Sequence, residues 1–393
     1  MPSWGEILQE LNETAAASGS GPDFDSVRRK YLRQLQELTG RNTILYYSGW
    51  MGGGGGSQAV AITLEDMQGM MEVVRGMEGG AVDIVLHSPG GSPEATDSIV
   101  RYLRQKFDDV RVFVPLAAMS AATMWALSAN RIVMGKHSQL GPIDPQLVMA
   151  QGTIPAGAII RQFDQAVKEC QADPSRLAAW LPILQQYGPA LLQQCEAAAA
   201  LATRLVAQWL ESYMLPNNPD IAAGERKAKA KEIADWFAAD DEHRSHSIGI
   251  GRDEARSHGV VIDDLEDDAG QLQDAVLSVH HATMHHPRGA VPQDRREPSR
   301  TGLREDGRRP CRRDDRAAGA AARAGRPTAH LRAPVHLTPR QPEGMRAMDA
   351  RWTHGESGRC CKPHHLDQHV SGAGCRDRTD DIFFTREVLY QLS

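Results

Sequence analysis

A chain of 393 residues is long enough for two or three domains and a sizeable core. Its net charge of −6 argues against a general affinity for nucleic acid or anionic membrane. Its apolar runs all fall short of a bilayer span, and the opening M-P-S-W-G-E-I-L-Q-E lacks a basic-then-apolar leader, so a cytoplasmic protein with no membrane span is expected.

Residues 1–40 are polar and helical in pattern. Phe24, Val27, Tyr31 and Leu35 recur at helical spacing and predict an amphipathic docking helix. Asn42 to Ser48 (N-T-I-L-Y-Y-S) is a strand by its β-branched and aromatic content. The glycine run from Gly52 to Gly56 reads as a flexible loop. A helix then begins at Thr63, with Asp66 three residues on in near capping-box spacing and Met67, Met70, Met71 and Val74 as its apolar stripe.

V-D-I-V-L-H-S is the second strand and ends at a Pro-Gly-Gly turn. Pro93 to Phe107 follows as a helix with Ile99, Val100 and Leu103 inward. R-V-F-V-P-L is the third strand, Ser120 to Ala129 a short helix apolar all round and therefore buried, and R-I-V-M-G the fourth strand. Strand and helix alternating in this way predict an α/β protein with a parallel sheet. From Ile154 to Ala239 alanine, glutamine and leucine dominate, predicting a helical arm that Pro174, Pro182, Pro189 and Pro216 break into pieces. A turn, a short helix and a closing strand follow, and Leu265 to His285 is a last helix.

Past His286 apolar periodicity vanishes and arginine almost wholly replaces lysine. An unstructured tail over 286–393 is expected. Its composition also suggests translation out of frame. Gln293 to Asp306 can be given codons that, read one base later, encode K-I-V-E-N-H-L-G-R-A-F-V-K-T, which has helix-like apolar spacing. Tail residues such as Cys360, Cys361, His364 and His365 are therefore not read as a zinc site. Cys170 and Cys195 lie in helical stretches as reduced thiols, and neither a metal nor a disulfide framework is expected.

The chemistry concentrates between Val82 and Ser128. Gly90 and Gly91 can present bare backbone N–H groups, because they lack a Cβ to block approach. Ser120 can place a hydroxyl at a strand-to-helix turn, where N-terminal N–H groups point outward. A nucleophile and an oxyanion hole are what acyl transfer requires. H-S-P-G-G, A-M-S-A-A-T-M-W-A-L and L-G-P-I-D-P-Q together resemble the Clp-fold serine proteases, a group that includes the Clp proteolytic subunit and signal peptide peptidase A. The likeness is nearest to the serine dehydrogenase proteinase branch and covers roughly Asn42 to His285.

The resemblance implies a crotonase-like spiral of ββα units: a core over 41–150, the arm over 151–240 and a closing helix-strand-helix over 241–285. It implies peptide-bond hydrolysis through an acyl-enzyme on Ser120, with Gly90 and Ala121 N–H groups as the oxyanion hole and Gly91 allowing the turn. It also implies peptide or unfolded-protein substrates, a homo-oligomer and no cofactor. Ser88, Ser128 and Ser138 compete poorly with Ser120 by position. The base is less defined. Where Clp-type enzymes carry histidine the chain has Asp144, read as a turn residue. Lys168 has about the serine-to-lysine spacing of signal peptide peptidases and is the first candidate, ahead of Lys136, His137 and His246. Relatives usually carry Gly at Ala122 and Asp at Asn130. A catalytically inactive scaffold on the same fold is the alternative function, and hydratase or isomerase chemistry on it a third.

Overall fold

The architecture follows from how each strand is used on both of its faces. The computed structural model describes residues 3–19, 21–52, 60–149, 152–267, 270–285 and 388–390. They belong to one compact unit, Met1–Gln293 with Asp381–Ser393; the other, Asp294–Asp380, lies outside the described residues.

Two helices open the chain, α1 (Trp4–Ser18) and α2 (Phe24–Thr39). The sequence suggested only the second. Ser3 and Glu6 start α1 with a reciprocal capping box, the Ser3 hydroxyl accepting the Glu6 N–H and the Glu6 carboxylate accepting the Ser3 N–H. Val27, Tyr31 and Leu35 of α2 are buried as their spacing predicted.

A repeated unit follows: a long strand, a short extended piece, then a helix. The long strand β1 (Asn42–Tyr47) leads to a bridge at Ile62 and then α3 (Asp66–Val74). The helix starts at Asp66 rather than Thr63, because the Asp66 carboxylate turns back to accept the Thr63 N–H at 2.7 Å. Of its predicted stripe, Met70 and Val74 are buried, Met67 is half-buried and Met71 is exposed. Most of the glycine run lies outside the described residues. Next, β2 (Ala81–His87) runs into the Ser88–Gly91 turn and α4 (Pro93–Lys106). Then β3 (Asp109–Val114) is followed by β4 (Ala117–Ala118) and α5 (Ala121–Leu127), and β5 (Arg131–Met134) by β6 (Gln139–Leu140). This is the ββα repeat that the resemblance implied.

A hairpin of β7 (Gln146–Met149) and β8 (Gly152–Pro155) opens the arm. The arm comprises α6 (Ala156–Ala172), α7 (Leu177–Leu184), α8 (Leu191–Trp209), α9 (Arg226–Ala238) and α10 (Asp240–His243). Pro182 stands inside α7 instead of ending it, whereas Pro174, Pro189 and Pro216 fall outside the α-helices. Finally come β9 (Ile250–Gly251), α11 (Arg252–Ser257), β10 (Ile262–Asp264), α12 (Gln271–Met284) and β11 (Val388–Tyr390).

The main sheet has the order β10-β5-β3-β2-β1-β11, all parallel except β11. Ile44, Ile84, Val112, Ile132 and Ile262 stand in one register row across five strands, all buried. Each such side chain contributes roughly 1.5–3 kcal/mol by leaving water. Alternate residues serve opposite faces. Ile44, Ile84 and Val112 pack toward α3, α4, α5, α8 and α9, while Leu45, Val85, Phe113 and Val133 pack toward α1, α2 and α12. Both faces are covered, which is why the strands read as almost continuous apolar runs. A second, small sheet has the order β4-β6-β9.

The expected structureless tail needs one correction. Residues 388–390 pair antiparallel with Leu45–Tyr47. Without them β1 would be an edge strand with unpaired backbone groups, and Val-Leu-Tyr suits a strand. The rest of the tail, including the segment behind the reading-frame argument, lies outside the described residues.

His87, at the end of β2, faces the α12 side, with its ring 4.6 Å from Tyr47 and 5.5 Å from His280. Burial pushes the His87 imidazole down to about 4. Burial first, then repulsion from neighbouring imidazoles, pushes His280 down to about 3. Both are held neutral, whereas an unfolded histidine takes up a proton near 6.5. The stability they contribute is therefore complete above about pH 6.5 and is lost as pH falls toward 4, by about 3 kcal/mol for His87 alone. Thermal melts between pH 7.5 and 4.5 should show the midpoint falling steadily below pH 6.5. His280→Leu should flatten that slope, and an unchanged midpoint down to pH 5 would refute the assignment.

Candidate active site

Two chain turns meet at the carboxyl ends of the parallel strands. Ser88 joins them. Its N–H donates to the Ala117 carbonyl at 3.2 Å, and its own carbonyl accepts the Met119 N–H at 3.0 Å. The Pro-Gly-Gly turn is thereby zipped against β4 just before Ser120. A Cβ built on Gly90, whose φ is +98°, would lie 2.5 Å from the Met119 carbonyl oxygen, 2.7 Å from Ser120 Cβ and 2.8 Å from Ala121 N. Only glycine permits that approach. On its other side the turn is fixed to Ile62, whose N–H donates to the Gly90 carbonyl and whose carbonyl accepts the Ser92 N–H. Those two bonds flank Gly91, so in extended chain the Gly91 N–H points away from Ile62.

Ser120 is the N-cap residue of α5, with φ +52° and ψ −121°. This is sparsely populated backbone for a residue with a side chain, and holding it costs on the order of 1–3 kcal/mol. The surroundings enforce it. Ala122 N–H donates to the Met119 carbonyl, Met124 N–H to the Ser120 carbonyl, and the Thr123 hydroxyl to the Ala118 carbonyl at 2.7 Å. Every residue of α5 is buried, and Trp125 meets Tyr46 edge-on at 4.9 Å. The strained turn leaves the half-buried Ser120 hydroxyl without a capping bond of its own.

The competing serines are all engaged. Ser88 Oγ accepts the Gly90 N–H at 3.2 Å, Ser128 Oγ donates to the Trp125 carbonyl, and Ser138 Oγ donates to the Val114 carbonyl while accepting the Gly135 N–H. The Gly90 N–H, expected as an oxyanion donor, is thus already spoken for. The Ala122 N–H is also taken, while that of Ala121 belongs to the first turn of α5 and lacks an acceptor within its helix.

Of the candidate bases, Lys168 is exposed on α6 and lacks the burial that a basic lysine requires. Lys136 is exposed, its backbone N–H donating to Glu266. The exposed His137 folds its ring back over Gly135. His246 is different, because its Nδ1 lies 2.7 Å from Oδ1 of the buried Asp144. The sequence left that contact unseen, since the partners are 102 residues apart.

The site is a serine on a strained strand-to-helix turn of a mixed α/β fold, beside a glycine turn. Comparison with known proteins agrees with this class. Residues 27–178 match the family model described as ClpP-like SDH-type serine proteinase, and over that segment the chain is similar to this serine proteinase family, as its motifs indicated. Two proteins of Methanocaldococcus jannaschii, the uncharacterized proteins MJ0137 and MJ1495, are 36% identical over 105 residues and 33% identical over 103 residues. Each alignment covers 26% of this chain, and the chain spans about a third of the length of these curated relatives, 35% and 34%. Two structures of a 1510-N membrane-bound stomatin-specific protease, one with a substrate peptide, are similar at 19% and 20% identity, with TM-scores of 0.32 and 0.33. They cover 54% of this chain and 79% and 74% of their own.

The backbone of Ser120 makes a prediction about stability. Glycine adopts its dihedral angles without the Cβ penalty, while alanine retains it. Ser120→Gly should therefore melt a few degrees above Ser120→Ala, corresponding to about 1 kcal/mol after the added unfolded-state entropy of glycine. A glycine variant that melts below the alanine variant would show that the turn is not strained.

Proposed function

We propose that this chain is a serine peptidase of the ClpP-like SDH type, with Ser120 as the nucleophile that forms an acyl-enzyme. The observation that carries the reading is the backbone of Ser120: a non-glycine residue held at φ +52° at a strand-to-helix junction, with its hydroxyl uncapped. Strain of this kind persists where the surrounding structure enforces it and something other than stability is served.

The oxyanion would be held by the N–H groups of Ala121 and Gly91. This assigns to Gly91 the role the sequence reading gave to Gly90, whose N–H is bonded to Ser88 Oγ. Gly90 then acts by bringing the turn within reach of Ser120. Donors fixed beforehand toward a developing negative charge stabilise the tetrahedral intermediate without reorganising. Substrates would be peptides or unfolded protein segments. The exposed position of Lys168 is the observation that favours the alternative, an inactive scaffold on the same fold.

A fluorophosphonate probe separates the two readings, since only an activated serine reacts with it. The wild-type protein should label on Ser120 and cleave unfolded peptide substrates, and Ser120→Ala should do neither. Full peptidase activity in Ser120→Ala would sink the enzyme reading at its centre, and a wild type that never labels would establish the scaffold.

Assembly belongs to the same proposal. The helix α7 (L-A-A-W-L-P-I-L) has no buried residue, and Leu177, Leu181 and Ile183 are exposed along with Val167 of α6. Clustered apolar side chains of this kind usually meet a partner. Light scattering at micromolar concentration should give a mass well above the 43.0 kDa of one chain, and a monomer alone would count against assembly.

A further inference from the structure

We infer that Thr123 is a positioning residue for Ser120: its hydroxyl occupies the rung that would join β4 to β6 and holds the two strands apart where the serine turn leaves the small sheet. This rests on the reading of Ser120 as nucleophile and adds what fixes the place of its turn.

The interrupted ladder is the first observation. β4 and β6 run parallel, with Ala117 beside Gln139 and Ala118 beside Leu140. Gln139 N–H donates to the Leu116 carbonyl at 2.8 Å. In a regular parallel pair the same bond recurs two residues further along each strand, which would join Gly141 N–H to the Ala118 carbonyl. That rung is replaced. Gly141 N–H donates to Thr123 Oγ1 at 2.9 Å, and the Thr123 hydroxyl donates to the Ala118 carbonyl at 2.7 Å. One oxygen thus stands between two backbone groups that a sheet would pair directly. A hydroxyl suits the place because it donates one bond and accepts another at once. Ala118 and Thr123 are both fully buried, and Gly141 is buried beside them.

The place of Thr123 on α5 is the second observation. It is the third residue of that helix, the position whose N–H a serine N-cap ordinarily takes with its side chain. Ser120 makes no such bond. A helical threonine hydroxyl usually bonds a carbonyl three or four residues back in its own helix. Thr123 instead reaches five residues back, past Ser120, to the last residue of β4. The bond therefore closes a short loop of chain with Ser120 inside it, outside the smaller loop closed by Ala122 N–H on the Met119 carbonyl.

Met119, just before the nucleophile, is bounded on three sides. Its N–H donates to the Ser88 carbonyl of the glycine turn, and its carbonyl accepts from α5. On the third side lies Gly141, where a Cβ would come within 2.6 Å of Met119 Cε and 3.3 Å of Met119 Cα. The Thr123 oxygen sets that third spacing. Without it, the Ala118 carbonyl and Gly141 N–H either bond each other, which presses Gly141 onto Met119, or stay buried without partners. Either way the serine turn shifts. A displacement near 1 Å is enough to cost on the order of 100-fold in rate.

The test uses the full chain and a fluorophosphonate probe, with a thermal melt on each variant. Wild type should label Ser120. Thr123→Val keeps the shape and removes the hydroxyl, and Thr123→Ala removes it with less crowding. Both should lower the maximal labelling rate about 10- to 100-fold while leaving the probe concentration for half-maximal rate within about twofold. Thr123→Ser keeps the oxygen and should keep most of the wild-type rate. Val110→Ala, a core change at the amino end of β3, is the control: it should lower the melt and leave the labelling rate unchanged. If Thr123→Val and Thr123→Ala label at the wild-type rate, the inference is overturned while the nucleophile stands. The same holds if Thr123→Ser labels as slowly as Thr123→Val, or if Val110→Ala slows labelling as much for an equal fall in melting temperature. If wild type does not label, the peptidase reading fails and this one fails with it.

Discussion

The approach of the Gly90 turn to the Ser120 turn constrains everything around it. Neither turn is stable by itself. The first needs positive φ at Gly90, and the second holds a serine where its Cβ is unwelcome. They persist because the ββα repeat stacks them: the Ser88 backbone bonds β4 on one side, and Ile62 bonds the glycines on the other. The energy that offsets the strain comes from the apolar layer beneath. The helix α5 is buried along its whole length, and Trp125 and Met124 belong to the core that also contains Ile84 and Val112. A few kcal/mol of strain at one residue is small against burial of that extent.

The two ends of the sheet are used differently. At the amino ends of the strands, buried Asp83 accepts from Arg41 at 2.7 Å and from Arg111 at 2.7 and 2.9 Å, and Asp109 pairs with Arg41. Breaking such a buried pair leaves an uncompensated charge, so this end reads as structure. At the carboxyl ends stand the glycine turn and Ser120, where open α/β sheets expose their helix N-termini. His87 stands at this end too but turns to the opposite face. Its Nδ1 accepts the Ala117 N–H, and its neighbours are Tyr47 and His280 rather than the serine. Held neutral by burial, it fixes the back of the turn on the face away from Ser120.

How far this was legible in the sequence depended on range. The long strands announced themselves through β-branched runs, and both ends of α4 could be read because Ser92 caps it and Pro93 begins it. The strand-to-helix turn at Ser120 was legible because the glycine turn and the serine turn carry their own residue signatures. The bond from Gly90 N–H to Ser88 Oγ was not legible, because it has no sequence signal. The His246–Asp144 contact was missed for a different reason. It depends on β6 and β9, each two residues long, and no periodicity exists in two residues. Asp144 looked like a turn residue because Pro142 and Pro145 surround it. The same prolines also make it rigid enough to hold an imidazole.

The two departures from the family pattern can now be placed. Asn130 follows α5 at the end far from Ser120. Its Oδ1 accepts the Arg104 guanidinium at 2.7 Å and the Val110 N–H at 2.9 Å, and Arg104 also donates to the Ser128 carbonyl and lies over the Tyr213 ring. An amide oxygen satisfies both donors as a carboxylate oxygen would. What it forgoes is charge, and burial has already lowered the Arg104 guanidinium to about 10. The substitution therefore acts where α4 meets the end of α5 and the turn that follows α8, away from Ser120. Ala122 is fully buried on α5, with its N–H bonded to Met119. A methyl group there favours the helix over glycine by roughly 1 kcal/mol and fills space that the core would otherwise have to close. Of the two, only the alanine tightens the scaffold that holds Ser120 out of ordinary backbone geometry. Neither side chain belongs to the Ser120 turn or to the glycine turn beside it.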